Sequence, residues 1–384
     1  MLESRHPKGS GKATLTMDPQ MRPARDRRLK LLLCSGEPKD TACLVIRVVS
    51  PLRRDSLMEI RHAQLESIRE QVAWADAILI QRNFPSSALR KRRMLRRVYA
   101  SGKPILYETD DNLLKISPDN PHFADHKDGW PFLRRALRRA HALIVSTPRL
   151  ADELGGFKPC IVVPNLLDDA LWVPHPVSVP KEPVVIGFAG TMTHGEDLRL
   201  CLPALLKLAE AHGDGIRFVF MGCILPELEA LSNVQFIPFD ADYATYVQTI
   251  RTMGIQIGIA PLVDSEFNRA KSAIKWMEMS MCGIAGVYAD LDPYREVVRS
   301  GETGLLAGQD WMQWYAALDL LVRDPDLRCR IASRAQAKVI ESHTLTAKGA
   351  LFSQVIRNLV SDLENAPRDF SGGFWQRVLN FFWL

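Results

Sequence analysis

The sequence predicts an α/β protein of two parallel-sheet domains, and three observations carry that reading. Short, nearly continuous apolar runs, as buried parallel strands show, alternate with segments of helical periodicity. The alternation begins at Leu29, breaks at a passage holding Pro164, Pro174, Pro176, Pro180 and Pro183, and starts afresh at Val184. At 384 residues, the chain is longer than one hydrophobic core usually organises. The expected division is residues 1–28 as a disordered basic segment, 29–165 as the first domain and 166–183 as a linker. Residues 184–345 then form the second domain, and 346–384 a closing helix with an aromatic tail.

Residues 1–28 are polar, basic and rich in Pro and Gly, which predicts disorder. Their GSGKAT stretch (9–14) imitates a phosphate-binding loop. Ala13 stands where a magnesium-binding hydroxyl belongs, and His6 where the first glycine belongs, so that reading is rejected. The first domain offers strand-like runs LKLLLCSG, CLVIRVV, DAILIQR, PILYETDD, ALIVST and IVVPN, with helices expected near 56–74, 86–101 and 131–141. The second offers VVIGFAG, a helix over 197–212, RFVFMG, VQFIPF, a helix near 243–252, IQIGIAPL, a helix over 268–283 and IAGVYA. Helices over 310–341 and 345–365 follow. The final FSGGFWQRVLNFFWL either packs across the domains or dips into a membrane interface.

Composition narrows the class. Hydrophobic content of 47% and charged content of 24% are those of an ordinary globular protein. The seven cysteines form no CxxC pair, which argues against a disulfide framework and a zinc site and suits a reducing cytoplasm. No apolar run approaches the roughly 20 residues of a spanning helix. The net charge of +5 is unevenly divided: residues 1–181 hold 31 Lys+Arg against 20 Asp+Glu, leaving 18 against 24 for the rest. Arginine-rich segments at 89–103 and 132–143 suit an anionic membrane surface, the alternative being ordinary solvated helices. No nucleic-acid recognition motif accompanies them.

The most informative stretch is NRAKSAIKWMEMSMCG (268–283). On a helix, Lys271, Lys275 and Glu278 at i, i+4 and i+7 would share one face. Lysines near a helix start oppose the macrodipole unless an anion neutralises them, and a phosphate there would do so. Glu278 would then accept hydrogen bonds from a ribose. The competing reading is a solvated face with a Lys275/Glu278 pair. Apolar strands on both sides favour the ligand, because they set the helix N-terminus at the carboxyl edge of a parallel sheet.

Together, the two halves, VVPN before the linker, GFAGTMTHGEDL opening the second half, and KSAIKWMEMSMCG followed by GETGLLA resemble the family 4 glycosyltransferases of GT-B fold, closest to those of bacterial surface-polysaccharide assembly. The likeness covers most of residues 30–345. It implies two Rossmann-like domains facing across a cleft, and a sugar moved from a nucleotide-sugar to a glycan or lipid-linked acceptor with retained configuration. It implies that Glu278 holds the ribose, Lys275 and Lys271 the diphosphate, and Gly190 and Thr191 the turn against the donor phosphates. His194 and Asp197 match a G-x-x-x-H-x-x-D form of that turn. Asp110 and Asp111 are candidates for contacting or deprotonating the acceptor, the alternative being a cap or simple turn. His194 is a candidate hydrogen-bond donor, the alternative being a structural histidine. Arg47 and Arg82 lie near strand ends, as cleft residues or surface charges.

Many relatives carry a second glutamate eight positions before the ribose one, where this chain has Ala270, and their arginine and lysine after the glycine turn are not evident here. The resemblance implies no metal and no cofactor beyond the nucleotide-sugar co-substrate. The cysteine pattern and the arginine-rich segments point to a cytoplasmic protein with the inner face of the membrane as a candidate partner surface, and no nucleic-acid partner is expected. Its rivals are a nucleotide-sugar 2-epimerase and a non-catalytic binding protein of the same fold.

Overall fold

A computed structural model describes residues 27–84, 89–177 and 181–365. Expectations for residues 1–26 and for the aromatic tail at 370–384 lie outside the described residues. The first sheet holds β1 (Leu29–Cys34), β2 (Met58–His62), β3 (Ala77–Gln81), β4 (Ile105–Thr109), β5 (Ala142–Val145) and β6 (Cys160–Val162), all parallel, in the order β2-β1-β3-β4-β5-β6. The second holds β7 (Val184–Ala189), β8 (Ile216–Met221), β9 (Val234–Ile237), β10 (Ile257–Ala260), β11 (Ala285–Ala289) and β12 (Leu305–Ala307), also parallel, in the order β12-β11-β10-β7-β8-β9. This is the GT-B architecture of two Rossmann-like sheets. Strand order reverses between β1 and β3 in one sheet and between β7 and β10 in the other. Crevices beyond the strands' carboxyl ends open at such points.

Burial explains the strands. Every residue of β3, β4, β5, β7, β10 and β11 is buried, so their apolar runs are covered on both faces. Helices Ile68–Trp74, Leu89–Tyr99, Phe123–Arg139 and Pro148–Leu154 cover one face of the first sheet. The other is covered by the helical segment 42–53 and by the last described helix, Leu351–Asn365, whose Phe352, Val355, Ile356, Leu359, Val360 and Leu363 pack on Leu31, Leu33, Leu79 and Leu106. The chain therefore returns from the second domain to complete the first.

Three local expectations fail. CLVIRVV is helical, not a strand: helix Ala42–Leu44, a π-turn over Val45–Val49 and helix Ser50–Arg53 run on continuously. Leu44, Val48 and Leu52, four residues apart, make the buried stripe, so tertiary packing overrides the β-branched composition. The edge strand is instead β2, inside the span expected as a helix over 56–74; the helix there is confined to Ile68–Trp74. The third failure concerns 268–283. Short helix Glu266–Arg269 and helix Ile274–Met281 are separated by a break that leaves Lys271 outside any helix. Contacts from the first domain occupy the break: Thr147 donates its hydroxyl to the Ala270 carbonyl (2.8 Å), and Asn165 Nδ2 donates to Ser272 Oγ (2.8 Å).

Candidate active site

The two crevices face each other and enclose a cavity of about 240 Å³. Asp110, Asp111, Gly190, Thr191, His194, Lys271, Lys275 and Glu278 all line it. A second cavity, of about 520 Å³, shares Cys43, Asp111, Thr191, His194 and Lys271 with the first and runs out past Arg82, His122 and His126. Volumes of this order suit small-molecule ligands.

Glu278 sits at the inner end. Helix Ile274–Met281 carries it and Lys275 on one face, three residues apart, and Lys275 Nζ donates to Glu278 Oε2 at 3.0 Å. Helix Tyr243–Thr252 presents two stacked tyrosines, with ring centroids 5.8 Å apart. Tyr243 donates its hydroxyl to Glu278 Oε1 at 3.2 Å and Tyr246 donates to Oε2 at 2.9 Å. Trp172 Nε1 donates to the Tyr243 oxygen and Lys275 to the Tyr246 oxygen. Burial and then the Glu278 charge push both phenols well above their ordinary pKa, so they stay donors. A carboxylate offers about four lone-pair sites. Three are taken, leaving Glu278, only 2% exposed, one acceptor for a ligand.

Lys271 reaches the cavities from the break, its Nζ 5.0 Å from the Phe267 ring centroid, with no carboxylate within 4.0 Å among the described residues. Lys275 adds a second cation at the same wall. Opposite them, the chain leaves β7 through Gly190 and Thr191 into the helix Gly195–His212. A Cβ at Gly190 would come 2.8 Å from the Phe188 ring and 3.2 Å from the His194 ring, so glycine lets the imidazole pack here. His194 Nδ1 lies 2.8 Å from Asp197 Oδ2, whose partner Oδ1 accepts from the Val263 N–H and Asn268 Nδ2. Burial first, then Lys271, lowers the His194 pKa, and Asp197 works against them. Burial opposes ionisation of Asp197 too, but the His194 hydrogen bond and the Lys271 charge hold it below the usual carboxylate range. The ring is then neutral with its proton on Nδ1, and Nε2 is the nitrogen left for a ligand.

From the first domain come Asp110 and Asp111, just beyond β4. Neither caps a helix; Thr109 Oγ1 donates to the Asp111 carbonyl and Ser146 Oγ to the Asp110 carbonyl. Arg82 Nη1 donates to both carboxylates, to Asp111 at 3.0 Å. Burial alone would depress the guanidinium, yet Asp110 and its acidic neighbours raise it further. Arg82 adopts φ +48°, an uncommon backbone for a residue other than glycine, fixed by Arg82 N–H to the Glu108 carbonyl (2.9 Å) and Tyr107 OH to the Arg82 carbonyl (2.6 Å). Arg47 has a different fate. It is buried inside the first domain, donating to Glu108 (2.6 Å), the Val163 carbonyl and Asn165 Oδ1 (2.8 Å), away from the first cavity.

The tyrosine pair and Asn165 were not legible as site residues. Tyr243 and Tyr246 follow an Asp at helical spacing, which marks a helix start but not a partner for Glu278. Ala270 does not face either cavity: it is fully buried against the first-domain core, so residue 270 makes no sugar contact in this arrangement. No group of three His, Cys, Asp or Glu side chains among the described residues is placed to hold a metal ion.

The chain is similar in fold to several solved structures. Sucrose-phosphate synthase of Thermosynechococcus elongatus superposes with a TM-score of 0.65 at 13% identity, over 87% of this chain and 100% of that one. Anabaena HepE, solved with UDP and glucose, gives 0.59 at 15% identity, over 87% and 100%. A Listeria monocytogenes protein assigned as a UDP-N-acetylglucosamine 2-epimerase gives 0.51 at 12%, over 89% and 98%. No family model and no curated relative matches the sequence. At these identities the likeness defines the GT-B fold.

Proposed function

We propose that the chain is a nucleotide-sugar-dependent glycosyltransferase whose donor diphosphate lies against Lys271 and Lys275. The observation carrying this is the meeting of both sheets' switch points at one cavity, where Lys271, with no carboxylate partner among the described residues, stands beside a buried glutamate. In this reading Lys271, Lys275 and the backbone of Gly190 and Thr191 take the diphosphate, and Glu278 accepts a ribose hydroxyl. Stabilising the departing nucleoside diphosphate with these cations is the main catalytic effect, without a divalent metal or other cofactor. Asp111 and His194, at the junction of the cavities, flank the bond that is made; Asp110, which lines only the first, holds Arg82 and through it Asp111. The acceptor, a glycan or lipid-linked glycan, enters by the second cavity, and configuration is retained. HepE, of the same fold, binds UDP and glucose, so a UDP-sugar is the first donor to test.

The 2-epimerase reading has the Listeria fold match in its favour. Product analysis separates the two, because an epimerase isomerises its nucleotide-sugar with no acceptor present. The direct test is a thermal-shift screen of nucleoside diphosphates and their sugars on the wild type and on Lys271→Ala and Lys275→Ala. The expected result is a shift with at least one nucleotide, reduced in both variants and unaffected by chelator. No shift with any nucleotide overturns the proposal.

A further inference from the structure

We propose that the outer helix layer of the first domain is a docking face for an anionic lipid bilayer. Helices Leu89–Tyr99 and Phe123–Arg139 lie side by side, because Arg92 stands 4.1 Å over the Phe132 ring and Arg139 stands 4.9 Å over the Tyr99 ring. Both contacts join residues separated by the same interval of sequence, so the helices run parallel in one register. Their exposed faces carry Arg93, Arg96 and Arg97 on one helix and Arg134, Arg135, Arg138 and Arg139 on the other. None of the seven has a carboxylate within 4.0 Å among the described residues. Acidic residues are missing from the sequence between Asp76 and Glu108, and again between Asp128 and Asp152.

Seven like charges on one face repel one another, and solvated helices usually interleave both signs. The shortage of counter-charge points to an anionic partner. Two features favour a lipid surface over nucleic acid. Aromatic rings on this face are already covered by cations, with Arg134 5.6 Å from the Trp130 centroid and Lys127 5.7 Å from that of Phe123, so those ring faces are closed to base stacking. Half-buried aromatics beside arginines are also the mixture suited to the headgroup region. The charge division orients the molecule, since residues 182–384 carry the acidic excess and are repelled by the same surface. His126, on the second of these helices, lines the larger cavity, so docking brings that cavity close to the bilayer. Delivery of a lipid-linked acceptor by this route rests on the proposed function; the docking does not.

The test is co-sedimentation of the full chain with phosphatidylcholine vesicles, with and without about 30% phosphatidylglycerol, at roughly 50 and 300 mM salt. Binding is expected only with the anionic lipid and only at low salt. It should fall more than tenfold in a variant carrying Arg96→Glu, Arg97→Glu, Arg134→Glu and Arg135→Glu, and persist when the same four positions become lysine. The lysine variant and the salt series keep the test decisive if the reversed variant folds poorly. Failure to bind anionic vesicles overturns the proposal, as does binding that survives charge reversal, which would assign the membrane contact to another segment. Capture of single-stranded nucleic acid in place of vesicles overturns it too. None of these outcomes depends on whether a nucleotide shifts the melting temperature.

Discussion

Replacing Glu278 with glutamine tests the inner end of the site most severely, because the two side chains have the same shape. The amide keeps one acceptor oxygen and turns the other into a donor. If the NH₂ takes the place of Oε1, it meets a Tyr243 oxygen that already accepts from Trp172, and the phenol proton loses its partner. If it takes the place of Oε2, Tyr246 loses its acceptor and Lys275 its only carboxylate among the described residues. An orphaned buried donor costs about 1–3 kcal/mol, and a hydrogen bond to a charged group is worth about 1.5–3 kcal/mol. Either arrangement should therefore lose about 2–4 kcal/mol, lowering the melting temperature by roughly 5–10 °C for a domain of this size. Differential scanning fluorimetry with and without UDP, GDP and ADP measures both consequences. The upward shift given by whichever nucleotide binds the wild type should shrink as well. A glutamine variant that melts like the wild type refutes the reasoning about the tyrosine network. One that keeps the full nucleotide shift refutes contact between Glu278 and the ligand.

Other outcomes follow from the same geometry. Ala270→Glu introduces a carboxylate that this position would bury against the first-domain core. It should destabilise the protein by several kcal/mol and not raise turnover, as melting and initial rates would show. Arg82→Ala leaves Asp110 and Asp111 facing each other without their shared cation, costing about 2–4 kcal/mol in denaturant titrations. The folded pKa of His194 lies below its ordinary value near 6.5, so the unfolded chain binds the extra proton and stability drains away as pH falls through that value. His194→Gln should accordingly show a smaller loss of melting temperature between pH 7.5 and 5.5 than the wild type; an equal loss would assign the titration elsewhere.

The strands of the second domain were legible because long apolar runs bounded by glycine or proline can hardly be anything but buried strands, and VVIGFAG and IQIGIAPL lie where expected. The first domain was harder. MEIRH, half polar on the sheet edge, gives no strand signal, whereas CLVIRVV has strand composition but a helical stripe. The lysines and Glu278 were legible by spacing, though the spacing described a continuous helix. What breaks it is a pair of hydrogen bonds from Thr147 and Asn165, each more than a hundred residues away in sequence. The same limit hid Tyr243 and Tyr246, whose meaning depends on a carboxylate on another helix. Local pattern thus picked out residues that line one cavity, and long-range contacts set how they are wired.

Helix Leu351–Asn365 ties the order of synthesis to the order of folding. One side of the first sheet, which includes Leu31, Leu33 and Leu79, has only the segment 42–53 to cover it until this last described helix leaves the ribosome, by which time the whole second domain has been made. The earlier-translated lobe is thus the later one to mature, and a nascent chain stalled before residue 351 would display a broad sticky leucine surface to chaperones and proteases.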